Sequence, residues 1–100
     1  MMLVYVFEFD VVPGKAEEFW KFMEEEGTKF WLQFPFVKKY EVFSKLGGNC
    51  SYEGHVELES FADFDNIWSH PDLGRVSQKT ASLTLNTQRR FIRQEKTYTR

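Results

Sequence analysis

Hydrophobic and polar residues change their spacing once near the start of the chain, and this change separates a strand from a helix. Residues 3 to 12, LVYVFEFDVV, are β-branched and aromatic and alternate with acidic residues, which predicts a strand. Pro13-Gly14 ends it, and apolar residues then recur three and four positions apart. We expect this helix to begin near Lys15 and to end before Pro35. Its apolar stripe consists of Ala16, Phe19, Trp20, Met23, Phe30, Trp31 and Phe34.

Gly27 interrupts that stripe, four residues after Met23, where an apolar side chain is expected. A glycine at this position either weakens the helix or lets it approach the sheet closely. The pattern leaves both possibilities open.

The second half of the chain repeats the same plan. Residues 37 to 45 and 51 to 60 alternate, with LGGN between them, and predict a hairpin of two strands. Helical spacing resumes after a Ser60 cap, breaks at His70-Pro71 and continues through LGRVSQKTASL. A last strand is predicted over residues 88 to 98.

The predicted order of elements is β-α-β-β-α-β, in one domain that covers residues 1 to 100. This order is typical of the ferredoxin-like fold, in the α+β class, with a four-stranded antiparallel sheet and two helices on one face. No repeat, linker or low-complexity segment interrupts the chain.

The alternation assigns each strand residue to one face of the sheet. One face carries Tyr5, Phe7, Phe9, Gly54, Val56 and Leu58, and we expect it to meet the helices. The other carries Val4, Val6, Glu8, Asp10, His55, Glu57 and Glu59, with either Val42 or Phe43. Because valines on such a face would otherwise contact water, we expect a second sheet to cover it in a homodimer.

Composition and charge narrow the classes of partner. The chain is 42% hydrophobic and 18% aromatic with 11 Phe, which suits an aromatic core or an apolar surface that needs covering. A net charge of -2 gives no general attraction to nucleic acid or to an anionic membrane. No signal peptide or apolar span is visible, and the single Cys50 suits a reducing compartment, so we expect a cytoplasmic protein.

Two stretches resemble a known group of proteins. FEFDVVPGKAEEFWKFMEE is similar to the first strand and helix of the dimeric α+β barrel superfamily, which includes the antibiotic-biosynthesis monooxygenase, NIPSNAP and EthD-like families. HVELESFADFDNIWSHPDL resembles the later strand and helix of the same group. The resemblance implies a dimer whose two sheets form a barrel. It also implies a ligand pocket between each sheet and its helices.

Aromatic residues are the most informative candidates for such a pocket. A site for a small molecule is typically apolar with a few fixed polar groups. The alternative is that the aromatic side chains only fill the core between helices and sheet. The candidate substrate-binding residues are Tyr5, Phe7, Trp20, Trp31, Tyr40 and Trp68.

Histidines supply the candidate catalytic groups. His70 follows Trp68 closely and His55 lies on the third strand, and either is a candidate base, since imidazole titrates near neutral pH. The alternative for His70 is an exposed residue at a helix end. His55, Glu57 and Glu59, with Glu8 or Asp10, also have the composition of a metal site, but alternating acids opposite arginines favour ion pairs, and we expect no metal.

The haem-degrading branch of the superfamily provides one further check. Its pattern implies an Asn in the first strand, a Trp in the second helix and a His beyond it. Here Phe7 and Trp68 occupy the first two places, and the third falls near Ser77 or Gln78. We therefore expect no haem and no other cofactor.

The resemblance implies a function of one of two kinds. The first is a cofactor-independent monooxygenase or isomerase that acts on a small aromatic compound. The alternative is a non-catalytic module for ligand binding or assembly.

Overall fold

The computed structural model describes residues 2–100, and its elements follow the predicted order. The strands are β1 (Leu3–Val11), β2 (Val37–Ser44), β3 (Tyr52–Leu58) and β4 (Thr84–Arg93). The first helical region comprises α1 (Ala16–Phe22), a π-helical turn (Met23–Gly27) and α2 (Thr28–Leu32). The second comprises α3 (Ala62–Trp68) and α4 (Leu73–Leu83). The four strands form one antiparallel sheet in the order β2-β3-β1-β4, so the predicted α+β class and ferredoxin-like topology are confirmed.

The turn between β1 and α1 has a local cause. The Lys15 N–H donates to the Val12 carbonyl at 2.9 Å, across Pro13 and Gly14. Proline suits the second position of a β-turn, and the third position of a type II turn requires a positive φ. Gly14 has φ +82°, so this pair reverses the chain at once.

The π-helical turn explains the glycine that interrupts the helical stripe. The Thr28 side chain donates from Oγ1 to the carbonyls of Met23 at 2.8 Å and Glu24 at 2.9 Å, which supports the widened turn. Gly27 is buried, and a Cβ atom there would lie 3.7 Å from Tyr40 Oη of strand β2. Since that distance is ordinary van der Waals contact, the structure favours the other possibility for Gly27: the regular α-helix is interrupted here by the π-helical turn.

The core fills the space between the helices and one face of the sheet. Residues from β1, the helices and β3 meet there, and Phe19, Val56, Leu58 and Ile67 are essentially inaccessible to solvent. Phe9 belongs to the same cluster. This is the face that the alternating pattern assigned to the helices.

The last strand begins earlier and ends earlier than residues 88 to 98. Thr84 follows α4 directly and pairs with Val11, so β4 starts four residues ahead of the prediction. A register shift opposite Glu8 and Asp10 accompanies the positive φ of Asn86, +58°. Such an irregularity obscures the alternation from which the strand was predicted.

The opposite face of the sheet, which we call the open face, is only partly apolar. Phe43 of β2 lies on this face, 44% exposed and 5.0 Å from the His55 ring, whereas Val42 packs toward the core. Val4 and Val6 are 3% and 0% exposed within the single chain. The expectation that these valines contact water in the absence of a partner is therefore wrong.

The helices of residues 2–100 are too short or too polar for any of them to cross a membrane.

Candidate functional site

A cavity lies between the helices and the sheet, in the position that the resemblance implied. Its volume, taken as the space open to the centre of a water molecule, is about 80 Å³. A single water needs roughly 10–15 Å³ on that measure, so the space is large enough for several waters or for a small ring system. Most of the side chains that line it are apolar.

Aromatic rings form most of the cavity wall. Tyr5 lies 5.8 Å from Phe7 and 6.1 Å from Trp31, between ring centroids. Tyr40 lies 6.3 Å from Trp31 and 6.4 Å from Phe7, with interplanar angles of 30° and 19°. The four rings therefore form one continuous aromatic wall around part of the cavity space.

The Phe7 ring covers part of this space because strand β3 has a glycine beside it. Gly54 pairs with Phe7 across the β1–β3 ladder. A Cβ atom on Gly54 would lie 2.1 Å from Phe7 Cζ, well inside van der Waals contact. The ring can lie across β3 only because residue 54 has no side chain.

One end of the cavity is positively charged. Arg89 lines the cavity, is exposed to solvent, and pairs across the sheet with Phe7. No carboxylate of residues 2–100 forms an ion pair with it. Burial raises the pKa of Tyr5, and the charge and hydrogen bonding of Arg89 act against that rise. Arg89 and the Tyr5 hydroxyl thus lie together at this end.

Exposed Trp68 also lines the cavity, as do the exposed side chains of Ser77 and Arg89. Its ring packs edge-on against Phe64 at 5.2 Å. An exposed tryptophan on the last turn of α3 leaves the cavity mouth lined by an indole and a guanidinium. Both groups stack on or lie against planar molecules.

Two threonine hydroxyl groups near α4 are engaged with the backbone. Thr80 Oγ1 donates to the Val76 carbonyl and Thr84 Oγ1 donates to the Thr80 carbonyl, each at 2.8 Å. These side chains line the cavity but have already used their donors. Ser77 and Thr87 line the cavity as well, so the polar groups of the wall are these hydroxyls together with Arg89, Tyr5 and Tyr40.

Five of the six predicted pocket residues line this one cavity: Tyr5, Phe7, Trp31, Tyr40 and Trp68. Trp20 does not line it; its ring contacts Phe19 and Tyr52, at 5.0 and 5.2 Å, beside the core.

Neither candidate base faces the cavity. His70 lies edge-on to Phe30 and Phe34, and its Nδ1 accepts a hydrogen bond from the Asp72 backbone N–H at 3.0 Å. His55 lies on the open face, where its Nε2 is 2.7 Å from a Glu53 carboxylate oxygen. No histidine, aspartate or glutamate of residues 2–100 lines the cavity.

The acidic residues of the open face form ion pairs. Glu8 lies 2.9 Å from both Lys45 and Arg90, and Arg90 also pairs with Glu53 at 3.1 Å. The hydrogen bond from Lys45, followed by that from Arg90, lowers the pKa of Glu8 to about 2. Across residues 2–100, no three His, Cys, Asp or Glu side chains are grouped as metal ligands.

Sequence reasoning missed Arg89 and Gly54 as parts of the site. The alternation would have placed Arg89 on the helix-facing side, since it falls two residues before Phe91 on β4. The predicted strand of residues 88 to 98 contains both positions, but its arginines were interpreted as ion-pair partners of the acidic residues. No local signal identifies Gly54 as the neighbour of Phe7.

Comparisons with known proteins give neither a matching family model nor a matching curated relative. Solved structures do match. A mutant of SnoaB, a cofactor-independent oxygenase from Streptomyces nogalater, superposes with a TM-score of 0.81 at 14% identity, over 96% of this chain and 95% of that one. A dimeric ferredoxin-like protein of unknown function from Thermobifida fusca gives 0.69 at 18%, over 92% and 90%.

A third match is an uncharacterized NIPSNAP domain protein from Burkholderia xenovorans, with a TM-score of 0.65 at 13% identity, over 95% of each chain. Identities this low establish the fold, and a site must be argued from its own residues. The chain therefore has the ferredoxin-like fold, which is the fold that the resemblance of its two motif regions implied.

Proposed function

We propose that the cavity binds a small planar aromatic compound with a negatively charged or ionisable oxygen, and that the protein oxidises it without a cofactor. The observation that carries this proposal is the combination of Arg89, free of any ion pair in residues 2–100, with a wall of Tyr5, Phe7, Trp31 and Tyr40. The rings match a flat apolar body, and the guanidinium matches an oxyanion.

The chemistry follows from what such a cavity does to a bound acid. A positive charge close to an ionisable group favours its charged form and lowers its pKa. The aromatic walls exclude water on the cavity side of Arg89, so a bound anion feels its charge more strongly than it would in bulk solution, even though the outer side of the guanidinium contacts solvent. An electron-rich aromatic anion reacts directly with dioxygen. Arg89 would therefore promote the reaction by stabilising the anion that starts it.

Oxygenation is favoured over isomerisation by the composition of the wall. An isomerase must remove a proton at one carbon and return it at another, which requires a positioned acid–base group. No imidazole or carboxylate of residues 2–100 lines the cavity. A substrate acidic enough to ionise beside Arg89 needs no such group. The likeness in fold to the cofactor-independent oxygenase SnoaB supports the same choice.

The second candidate function is non-catalytic binding of the same class of ligand. The absence of a base from the described cavity wall favours it, because binding requires only shape and charge. Neither candidate function uses His55 or His70, which the sequence suggested as bases.

Isothermal titration calorimetry with 2-naphthoate and 2-naphthamide tests the binding step. The two probes have the same shape and differ in charge. We expect wild type to prefer the naphthoate by about tenfold, the effect of one charge-assisted contact at an exposed rim. Arg89→Gln should remove that preference and leave the affinity for 2-naphthamide unchanged. No binding of either probe, or equal binding of both, would contradict the proposal.

Anthrone tests the oxidation. Its CH₂ group ionises readily, and the anion reacts with dioxygen to give anthraquinone and water, with one O₂ consumed per anthrone. Wild type should accelerate dioxygen uptake and anthraquinone formation above the buffer rate, and Arg89→Gln should slow both by about tenfold. Tight naphthoate binding with no acceleration would select the non-catalytic function.

We further propose that the protein is a homodimer whose two open faces meet. Phe43 and Ile92 are 44% and 41% exposed on this face, and Met2, near Val4 on the same face, is also exposed. The dimeric ferredoxin-like protein from Thermobifida fusca supports a dimer of the same fold. The buried valines do not contribute to this argument, since their own chain already covers them.

Sedimentation equilibrium of Phe43→Asp combined with Ile92→Asp tests the interface. The variant should be a folded monomer at micromolar concentration where wild type is a dimer, because both new charges would be buried against a partner. Leu46→Asp, at a fully exposed apolar side chain in the hairpin turn, is the matched control. Monomeric wild type, or a variant that stays dimeric, would refute this interface.

A further inference from the structure

The end of the cavity opposite Arg89 contains a phenolic hydroxyl with only a weak partner. Within residues 2–100, the Tyr40 hydroxyl makes one hydrogen bond, to the thioether of Met23, with Oη 3.6 Å from Sδ. A thioether sulfur is a poor acceptor, and tyrosine hydroxyls inside proteins normally find a better one. The hydroxyl is therefore a donor that an acceptor inside the cavity can recruit.

Burial keeps this hydroxyl protonated. Desolvation raises the pKa of Tyr40 well above the ordinary tyrosine value. The group is consequently a neutral hydrogen-bond donor over the whole physiological range, and it would favour a neutral oxygen acceptor over a cation.

The π-helical turn leaves space in front of the hydroxyl. Met23 and Gly27, its first and last residues, both line the cavity. A Cβ atom on Gly27 would lie 3.4 Å from Met23 Sδ and 3.7 Å from Tyr40 Oη. Because residue 27 has no side chain, the space beside the hydroxyl stays open.

Arg89 and Tyr40 belong to the two edge strands of the sheet. Three inter-strand steps of about 4.8 Å separate β4 from β2, so the two backbones lie roughly 14 Å apart. Both side chains line the cavity, and the Phe7 ring lies between their strands on β1. A flat molecule resting on Phe7 would have one edge toward Arg89 and the other toward Tyr40.

We infer that Tyr40 determines specificity by donating a hydrogen bond to a neutral oxygen of the ligand, at the edge opposite its anionic group. The preferred ligand is thus a planar aromatic compound with an oxyanion on one edge and a carbonyl or ether oxygen on the other. This inference rests on the proposed binding function and adds to it a second polar contact.

The test uses two probes of equal shape, 6-acetyl-2-naphthoate and 6-isopropenyl-2-naphthoate, which differ in the acceptor oxygen. Calorimetry should show wild type binding the acetyl probe about five- to tenfold tighter, the effect of one hydrogen bond. Tyr40→Phe should bring the ratio of the two affinities to one, because neither probe then receives a hydrogen bond at that edge. Arg89→Gln should weaken both probes equally and keep the ratio.

The outcomes separate this inference from the function on which it rests. If 2-naphthoate binds and the acetyl group brings no advantage, or if Tyr40→Phe retains that advantage, the role of Tyr40 is refuted and the proposed binding function stands. If 2-naphthoate itself fails to bind, both are refuted. Circular dichroism and thermal unfolding of Tyr40→Phe establish that the variant is folded.

Discussion

The two faces of the sheet bury apolar side chains by different means. On the helix-facing side, Phe9 and Val56 are covered by aromatic and aliphatic residues of the helices. On the open face, Val6 is equally inaccessible, but its neighbours across the strands are Arg90 and His55. The stems of long charged side chains can cover apolar surface while their charged ends form ion pairs above it.

This difference shows that a buried valine does not by itself imply a partner subunit. The alternation of β1 predicts two half-apolar faces, and only one of them needs helices to cover it. The proposal of a second chain on the open face rests instead on Phe43 and Ile92, which stay exposed in the single chain although ion pairs form on the same face.

The largest change in the free energy of unfolding is expected at Phe9, and it can be compared with the change at Phe43 on the other face. Phe9→Ala should lower the free energy of unfolding by about 3–5 kcal/mol, because it leaves a cavity in a packed core. Phe43→Ala should cost less than about 1 kcal/mol in dilute solution, since that side chain is 44% exposed. Urea unfolding measures both. Equal losses would mean that the open face is packed like the core.

A substitution at Gly54 tests whether the position of the Phe7 ring on the helix-facing side affects both stability and ligand binding. Gly54→Ala forces the Phe7 ring to move, which should cost about 1–3 kcal/mol of unfolding free energy and weaken 2-naphthoate binding. Gly47→Ala, with no atom within 4 Å of the added methyl, is the control. Unchanged stability and binding in Gly54→Ala would show that the Phe7 ring can adopt another position without cost.

The open face should respond to acid through Glu8. Its pKa is lowered from 4.5 to about 2 in the folded chain, so its pairing stabilises the fold above pH 4.5 and that contribution is lost as the pH falls toward 2. Glu8→Gln should flatten the dependence of unfolding free energy on pH in this window. Glu57→Gln, on the same face and without an ion pair in residues 2–100, is the control. Identical acid profiles for wild type and Glu8→Gln would contradict the pairing.

The smallest effect is expected at His70, which lies outside the cavity. His70→Ala removes the acceptor of the Asp72 N–H and should lower the unfolding free energy by about 1 kcal/mol or less. Binding of 2-naphthoate should not change. A tenfold loss of affinity in the folded variant would show that His70 does contribute to ligand binding.

Much of this architecture could be predicted from local patterns. The break at His70-Pro71 separates α3 from α4 as expected, and the Pro13-Gly14 turn lies where the hydrophobic spacing changes. The aromatic candidates of β1 follow from alternation alone. By contrast, Trp20 belongs to the same helical stripe as Trp31 and yet contacts Tyr52 instead of the cavity. The apolar stripe extends past the cavity, so helical spacing alone does not tell which of its residues line the wall.

The sequence by itself determined which side of each strand a residue occupies, because side chains alternate with a period of two along any strand. It therefore determined that Tyr5, Phe7 and Phe9 face the helices and that Glu8 does not. Only the tertiary structure decided which residues lie side by side across strands. Register between distant segments places Gly54 and Arg89 on either side of Phe7, and the π-helical turn opens the space before Tyr40. Such neighbours depend on pairing over tens of residues, which no local pattern of the chain encodes.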